Sequence, residues 1–280
     1  MTLANAEQHA AWNGESGQRW VASADRRDTV LAPIAELLLD TAAIHPGDRV
    51  LDIGCGCGAT TLAAANATGP NGQVVGVDLS APMLEIARQR AHGHHHLEFV
   101  QADVQTDPLG GPHDLAISRF GTMFFDDPTA AFTNLTRHLS PSGRLAIVTW
   151  QPLAANEWLV VPGAALLDFG ILPDGNDTAG PGMFTQSDPA TIRAVLTGTG
   201  FTDITTDPHT LALAYGTTLD DAVDYLADSG PGRAILDTIP TDRHRDAVAA
   251  VRNALGPHHH PDHGVVLDAA VLVTIARRHP

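Results

Sequence analysis

The chain has 280 residues, 44% apolar and 17% charged, which is the composition of an ordinary globular protein long enough to bury a large core in one domain or two. Its 32 acidic residues face 16 basic ones, so the formal net charge of -16 disfavours a nucleic-acid or anionic-membrane partner and favours a small neutral or cationic one. No apolar run approaches the roughly 18 residues that span a bilayer and residues 1–12 lack a basic-then-apolar leader pattern, so the expected location is the cytoplasm.

Residues 1–45 read as helical, with Trp12 and Trp20 eight apart and Leu31, Ile34, Leu37 and Leu38 recurring at three- and four-residue steps. From Pro46 the pattern changes to alternating strands and helices, the signature of a parallel α/β sheet. Strands are expected at 49–53, 73–78, 97–100, 114–118 and 144–150. Helices are expected at 59–68, from Ser80 and Pro82 to Ala91, and from Asp127-Pro128 to Leu139; Ser140-Pro141-Ser142-Gly143 reads as a turn. Beyond Trp150 come an apolar stretch at 158–169, a surface-exposed, mobile loop at 173–183, a helix from Ser187-Asp188-Pro189, a strand at 201–215 and helices over 219–256. A last strand carries Val271, Val273 and Ile275. The expected organisation is one domain: a helical cap (1–45), a binding core (46–150) and a region (151–280) with a helical insertion before the last strand.

The chemistry concentrates in Arg49-Val50-Leu51-Asp52-Ile53-Gly54-Cys55-Gly56-Cys57-Gly58, an apolar strand ending in a carboxylate and then glycine at alternate positions before a helix. Such a turn lets backbone approach a nucleotide. Cys55 and Cys57 are too close together to close a useful disulfide loop, and a structural zinc site wants four ligands, so they read as small packing residues. Asp52, Asp78 and Asp103 each end a predicted strand, at the edge where open α/β sheets bind ligands. Asp78 suits a grip on a ribose diol, and Gly54-x-Gly56-x-x-Ala59 also satisfies the relaxed dinucleotide pattern. Asp52 separates the two cofactors. A carboxylate just before the turn repels a pyrophosphate and attracts the ammonium and sulfonium of S-adenosylmethionine. Asp103, with Ala102 and Val104, would edge the adenine.

Val50 to Gly58, Val77-Asp78-Leu79-Ser80-x-x-Met83-Leu84, Gln101-Ala102-Asp103 and Ser118-Arg119-Phe120-Gly121 together resemble the motifs of class I S-adenosylmethionine-dependent methyltransferases. Leu139 to Leu145 is similar to that family's turn before the fifth strand, with serine where glycine usually follows the proline. The resemblance covers residues 46–150, and the flanking Asn13-Gly14, Gly17-x-x-Trp20 and Trp150 to Trp158 resemble a bacterial subgroup acting on small molecules. It implies a seven-stranded, mostly parallel sheet with helices on both faces and the last strand antiparallel. It also implies methyl transfer to an O, N or C nucleophile of a small-molecule acceptor. Carried over, Asp52, Gly54, Cys55, Gly56 and Gly58 form the amino-acid turn, Asp78 holds the ribose, Leu79 and Met83 sandwich the adenine beside Ala102, Asp103 and Val104, and Ser118 lies where the methyl group passes.

Trp12, Trp20, Arg119, Phe120, Met123, Phe124, Trp150 and Trp158 are candidate lid and acceptor residues, and Glu15, His113, Asp126 and Glu157 are candidate general bases by location. The histidine clusters at 92–96 and 258–263 read as solvated loops, and no metal site is expected. The assembly expected is a monomer or homodimer. A non-catalytic S-adenosylmethionine-fold binding protein and an NAD-dependent oxidoreductase are the alternatives.

Overall fold

A computed structural model describes residues 5–170 and 180–279. The part of the expected 173–183 loop up to residue 179 lies outside the described residues. Four helices lead in, α1 (Ala6–Asn13), α2 (Glu15–Ala22), α3 (Ala24–Val30) and α4 (Ala32–Ala42). The α4 helix has Pro33 in its first turn and buries Ile34, Leu38 and Ala42, the three- and four-residue spacing of one helical face.

The alternating region follows: β1 (Arg49–Ile53), α5 (Ala59–Thr68), β2 (Gln73–Asp78), α6 (Ala81–Arg90), β3 (Leu97–Gln101), β4 (His113–Arg119), α7 (Pro128–His138) and β5 (Leu139–Trp150). Side-chain caps start the helices where hydroxyls and carboxylates stand in the sequence. Ser80 Oγ accepts from the Met83 N–H, and Asp127 Oδ1 accepts from the Ala130 N–H at 2.9 Å. One expected turn is absent. The register of β4 against β5 steps from His113 opposite Leu139 to Leu115 opposite Arg144, so 140–143 bulge out within β5, with Ser142 at φ 62°.

The remaining elements are α8 (Glu157–Ala165), α9 (Pro189–Gly198), β6 (Phe201–Gly216), α10 (Leu219–Asp228), α11 (Gly230–Leu236), α12 (His244–Leu255), β7 (His259–His260) and β8 (Gly264–Arg278). The sheet is mostly parallel with one antiparallel strand, in the order β3-β2-β1-β4-β5-β8-β6. An eighth strand, β7, pairs with Val265 and Gly264 of β8, so His259 and His260 lie in a short ribbon where a loop was expected.

The chain divides into two compact units. The first comprises Met1–Trp150, Thr178–Pro208 and Leu272–Pro280. Its core packs Leu51, Ile53, Val75, Val77, Ala116, Leu145 and Ile147 of the sheet against Phe132, Leu135, Ile192 and Leu196 of α7 and α9. Each fully buried Leu, Ile, Val or Phe among them contributes about 1.5–3 kcal/mol. The second unit comprises Gln151–Asp177 and His209–Val271, with its own small core of Leu166, Ile239 and Ala247. Within the first unit the order reverses between β1 and β4, because the chain runs outward through β2 and β3 and then returns to the other side of β1. That switch point opens a crevice at the carboxyl ends of the strands.

Candidate functional site

A cavity occupies that crevice, with about 960 Å³ of empty space that includes open solvent at its mouth. Asp52, Gly54, Cys55 and Gly56 from the turn after β1 line it. Asp78, Leu79 and Met83 do so from β2 and α6, and Ala102, Asp103 and Val104 from the loop after β3.

The three carboxylates differ in what holds them. Asp52 is 1% exposed, accepts a hydrogen bond from Thr61 Oγ1 at 2.7 Å, and is pushed by burial up to a pKa of about 7, against the pull of the Thr61 hydroxyl and the Arg119 charge. Asp78 accepts the Gly56 N–H on Oδ2 and the Ser80 N–H on Oδ1, both at 2.8 Å, so it ties the glycine turn to the end of β2. Burial raises its pKa, opposed by those two backbone donors. Asp103 accepts from the Gln105 N–H at 3.0 Å, and burial raises it too. Each of the three acids thus meets the cavity as a group whose ionised form lacks solvation.

The glycines are not equivalent. At Gly54 (φ 65°) an added Cβ would sit 2.7 Å from Gly121 Cα, so two backbones touch there. Gly58 (φ 85°) begins α5 and abuts Phe99 and Ala87; it lines no part of the cavity. Gly56 (φ 56°) has nothing nearer than 3.8 Å, and its open side is left for a ligand.

The aromatic wall comes from the N-terminal helices and the turn after β4. Trp12 meets Phe124 edge-on at 5.2 Å and Trp20 at 5.9 Å, and all three line the cavity. The flanking sequence pattern explains how α1 and α2 are held. Asn13 Nδ2 donates to the Leu79 carbonyl and Asn13 Oδ1 accepts from the Ala81 N–H, both at 2.9 Å, while Ser80 Oγ donates to the Trp12 carbonyl at 2.7 Å. Gly17 lies where a Cβ would strike that same carbonyl at 1.9 Å. Phe120 lines the cavity in the left-handed region (φ 71°), stacked on Trp150 at 4.2 Å; such backbone strain persists where surrounding packing enforces it.

Several expected residues stand elsewhere. Ser118 is fully buried and its hydroxyl donates to the Ile53 carbonyl at 2.7 Å, a clasp between β1 and β4. Met123 is buried outside the lining, and Trp150 stacks on Phe120 without itself lining the cavity. His113 begins β4, so it lies at the opposite end of the strand from the cavity, roughly 20 Å away. Its Nε2 contacts the Leu109 carbonyl at 2.9 Å and burial lowers its pKa. Glu15 is exposed and paired with Arg19, and Asp126 is exposed; neither lines the cavity. Glu157 and Trp158 belong to the second unit, where Glu157 accepts the Asp268 N–H at 2.8 Å and Trp158 Nε1 donates to Asn156 at 3.2 Å.

Cys55 and Cys57 are buried free thiols, with burial pushing Cys57 up to about 11 and Cys55 upward as well, which suits packing. Among the described residues no group of three or more His, Cys, Asp or Glu side chains is placed to hold a metal ion, and no helix is long and apolar enough to cross a membrane.

Asn5, Asp28, Leu31 and Phe125 also line the cavity, and no local pattern marks them. Asn5 Oδ1 is buried without a hydrogen-bond partner. An adenosyl amino acid fits this donor set: its cationic end suits carboxylates that burial leaves short of positive charge, its hydroxyls and amines suit free acceptor lone pairs and the orphaned Asn5 oxygen, and Gly56 leaves the space a Cβ would fill.

The chain has the class I fold of S-adenosylmethionine-dependent methyltransferases. Residues 50–143 match a family model described as a methyltransferase domain. Among curated proteins, the nocamycin O-methyltransferase of Saccharothrix syringae is 33% identical over 134 residues, 46% of this chain and 48% of that one. The 2-phytyl-1,4-naphtoquinone methyltransferase of Trichormus variabilis is 35% identical over 120 residues, 41% of this chain and 52% of the other. The chain thus spans about half the length of these relatives. Among solved structures, the YcgJ protein of Bacillus subtilis superposes with a TM-score of 0.57 at 19% identity, over 88% of this chain and 98% of that one, which is a likeness of fold.

Proposed function

We propose that the chain transfers a methyl group from S-adenosylmethionine to an O, N or C nucleophile of a small-molecule acceptor. The observation that carries this reading is the convergence of Asp52, Asp78 and Asp103, from three adjacent strand ends, on one cavity with the open face of Gly56. When bound, S-adenosylmethionine supplies a methyl carbon made electrophilic by its sulfonium. Asp52 faces the ammonium, Asp78 takes the ribose hydroxyls on the lone pairs its two backbone bonds leave over, and Asp103 with the Val104 N–H takes the adenine edge. Leu79 and Met83 bracket the ring. Trp12, Phe120 and Phe124 keep water from the reacting centre.

Rate then comes mainly from holding the acceptor in line, for which effective molarities reach about 10⁵ M or more. The nocamycin and naphthoquinone enzymes are named for small-molecule acceptors, which supports an acceptor of that class here. The net charge of -16 also argues for such a partner over nucleic acid. The protein acts as a monomer or homodimer on this reading.

Calorimetry with S-adenosylhomocysteine tests the donor half: saturable binding is expected, with NAD giving none. Absence of heat at high micromolar ligand, in protein shown to be folded, would overturn it. A screen of candidate acceptors with labelled methyl donor tests turnover.

A further inference from the structure

Independently of the cofactor reading, we propose that the second unit holds a binding site of its own, for an uncharged apolar molecule that carries an alkyl chain or an aromatic ring. A second cavity, with about 530 Å³ of empty space that includes open solvent at its mouth, lies among α8, α10, α11 and α12. Every residue that lines it belongs to the second unit, and none of them lines the cavity of the first. The cavity is continuous with that unit's own core: Leu166, Ile235, Leu236 and Val251 pack in the cluster around Ile239 and Ala247 and also face the empty space. The core is thus open on one side, and apolar surface placed there gains by leaving water.

The lining sets the chemistry of the occupant. It contains no charged side chain, and its two polar ones already have partners within the protein. Ser229 Oγ donates to the Leu226 carbonyl at 2.6 Å and accepts from the Gly232 N–H at 3.1 Å, and Trp158 Nε1 donates to Asn156 Oδ1 at 3.2 Å. A polar or ionised group that entered would lose its hydration and find no side-chain partner in return. The surrounding charge is acidic. The α10 helix carries Asp220, Asp221, Asp224 and Asp228 and no basic residue. Arg233 of α11 is paired with Asp237 at 3.1 Å and Arg252 of α12 with Asp220 at 2.6 Å, so of the arginines on these two helices only Arg245 stands without an acidic partner among the described residues. An anionic head group at the mouth, such as a fatty-acid carboxylate, is therefore repelled, and an uncharged molecule is not.

The test uses the full chain and N-phenyl-1-naphthylamine, a neutral dye that brightens in apolar surroundings. Saturable binding is expected, with 1-decanol displacing the dye and decanoate at pH 8 doing so about tenfold more weakly or worse. Ala227, half-buried, lines the cavity. Filling the space with Ala227→Trp should weaken the dye about tenfold or more, and the smaller Ala227→Leu should weaken it less. Leu167→Ser, at an exposed position outside the lining, should leave dye binding unchanged. Folding of each variant is checked by its urea transition, and Ala227→Leu decides if Ala227→Trp does not fold. No saturable signal from folded wild-type protein overturns the inference, and so does decanoate that displaces as well as 1-decanol. A folded, cavity-filled variant that keeps wild-type affinity also overturns it, since the dye then sits elsewhere on the protein. No nucleoside is present in this experiment, so its failure leaves the cofactor reading standing.

Discussion

Replacing Asp52 by asparagine removes a buried charge and keeps the shape of the side chain. The Asp52 carboxyl is 1% exposed and burial lifts its pKa from 3.8 to about 7, with Thr61 Oγ1 donating to it at 2.7 Å. A rise of that size sets about 4 kcal/mol against the ionised form in the folded protein. Between those two pKa values the folded state holds a proton that the unfolded chain has released. Stability therefore falls as pH rises through that window and levels off above about 7. Asp78 and Asp103 are raised as well and push in the same direction, so the variant must be compared with wild type at each pH. Urea denaturation of the ligand-free proteins at pH 5 and pH 8 should show Asp52→Asn gaining about 3 kcal/mol on wild type between the two. At pH 8 the same variant should bind S-adenosylhomocysteine about tenfold more weakly or worse, because the ligand's ammonium loses its counter-charge. A stability difference that does not change with pH would show that Asp52 ionises without penalty, and would refute the desolvation argument.

Two further perturbations separate the parts of the turn. Gly54→Ala drives a methyl onto Gly121 Cα at 2.7 Å, whereas Gly56→Ala meets nothing within 3.8 Å. The first should lose about 3 kcal/mol in denaturation and the second about 1–2, while Gly56→Ala loses ligand affinity because its methyl enters the cavity; equal stability losses would contradict this geometry. Asp78→Asn leaves one acceptor oxygen for the two N–H groups of Gly56 and Ser80. It should cost about 1–3 kcal/mol and weaken S-adenosylhomocysteine binding as the turn loosens; unchanged stability on chemical denaturation would show that the backbone bonds contribute nothing.

Strand ends and caps were legible because they are written locally. A parallel strand covered on both faces is an apolar run that stops at a polar turn, and β1, β2 and β3 carry Asp52, Asp78 and Asp103 within two residues of that stop. Ser80 and Asp127 announce helix starts for a similarly local reason, since a cap reaches only two or three residues forward. The row of Asp52, Asp78 and Asp103, and with it the class of ligand, could therefore be read before any contact was known.

Position in space could not. Glu15, Asp126 and His113 have the chemistry of a base, yet two are exposed and the third stands at the wrong end of its strand. Ser140 to Gly143 spells a turn, but strand pairing with β4 absorbs it as a bulge. Asp28 reaches the cavity from α3, and Asn5 and Leu31 from the caps that flank α1 and join α3 to α4, all before the first strand in the chain. The raised pKa of Asp52, the unpartnered side-chain oxygen of Asn5 and the longer of the two guanidinium contacts to Asp28, from Arg119 rather than Arg90, are products of burial and of neighbours distant in sequence. Residue type and spacing set what each group can do, and only the tertiary structure, by removing water and choosing the neighbour, decided which groups face the cavity and which way burial moves their titration.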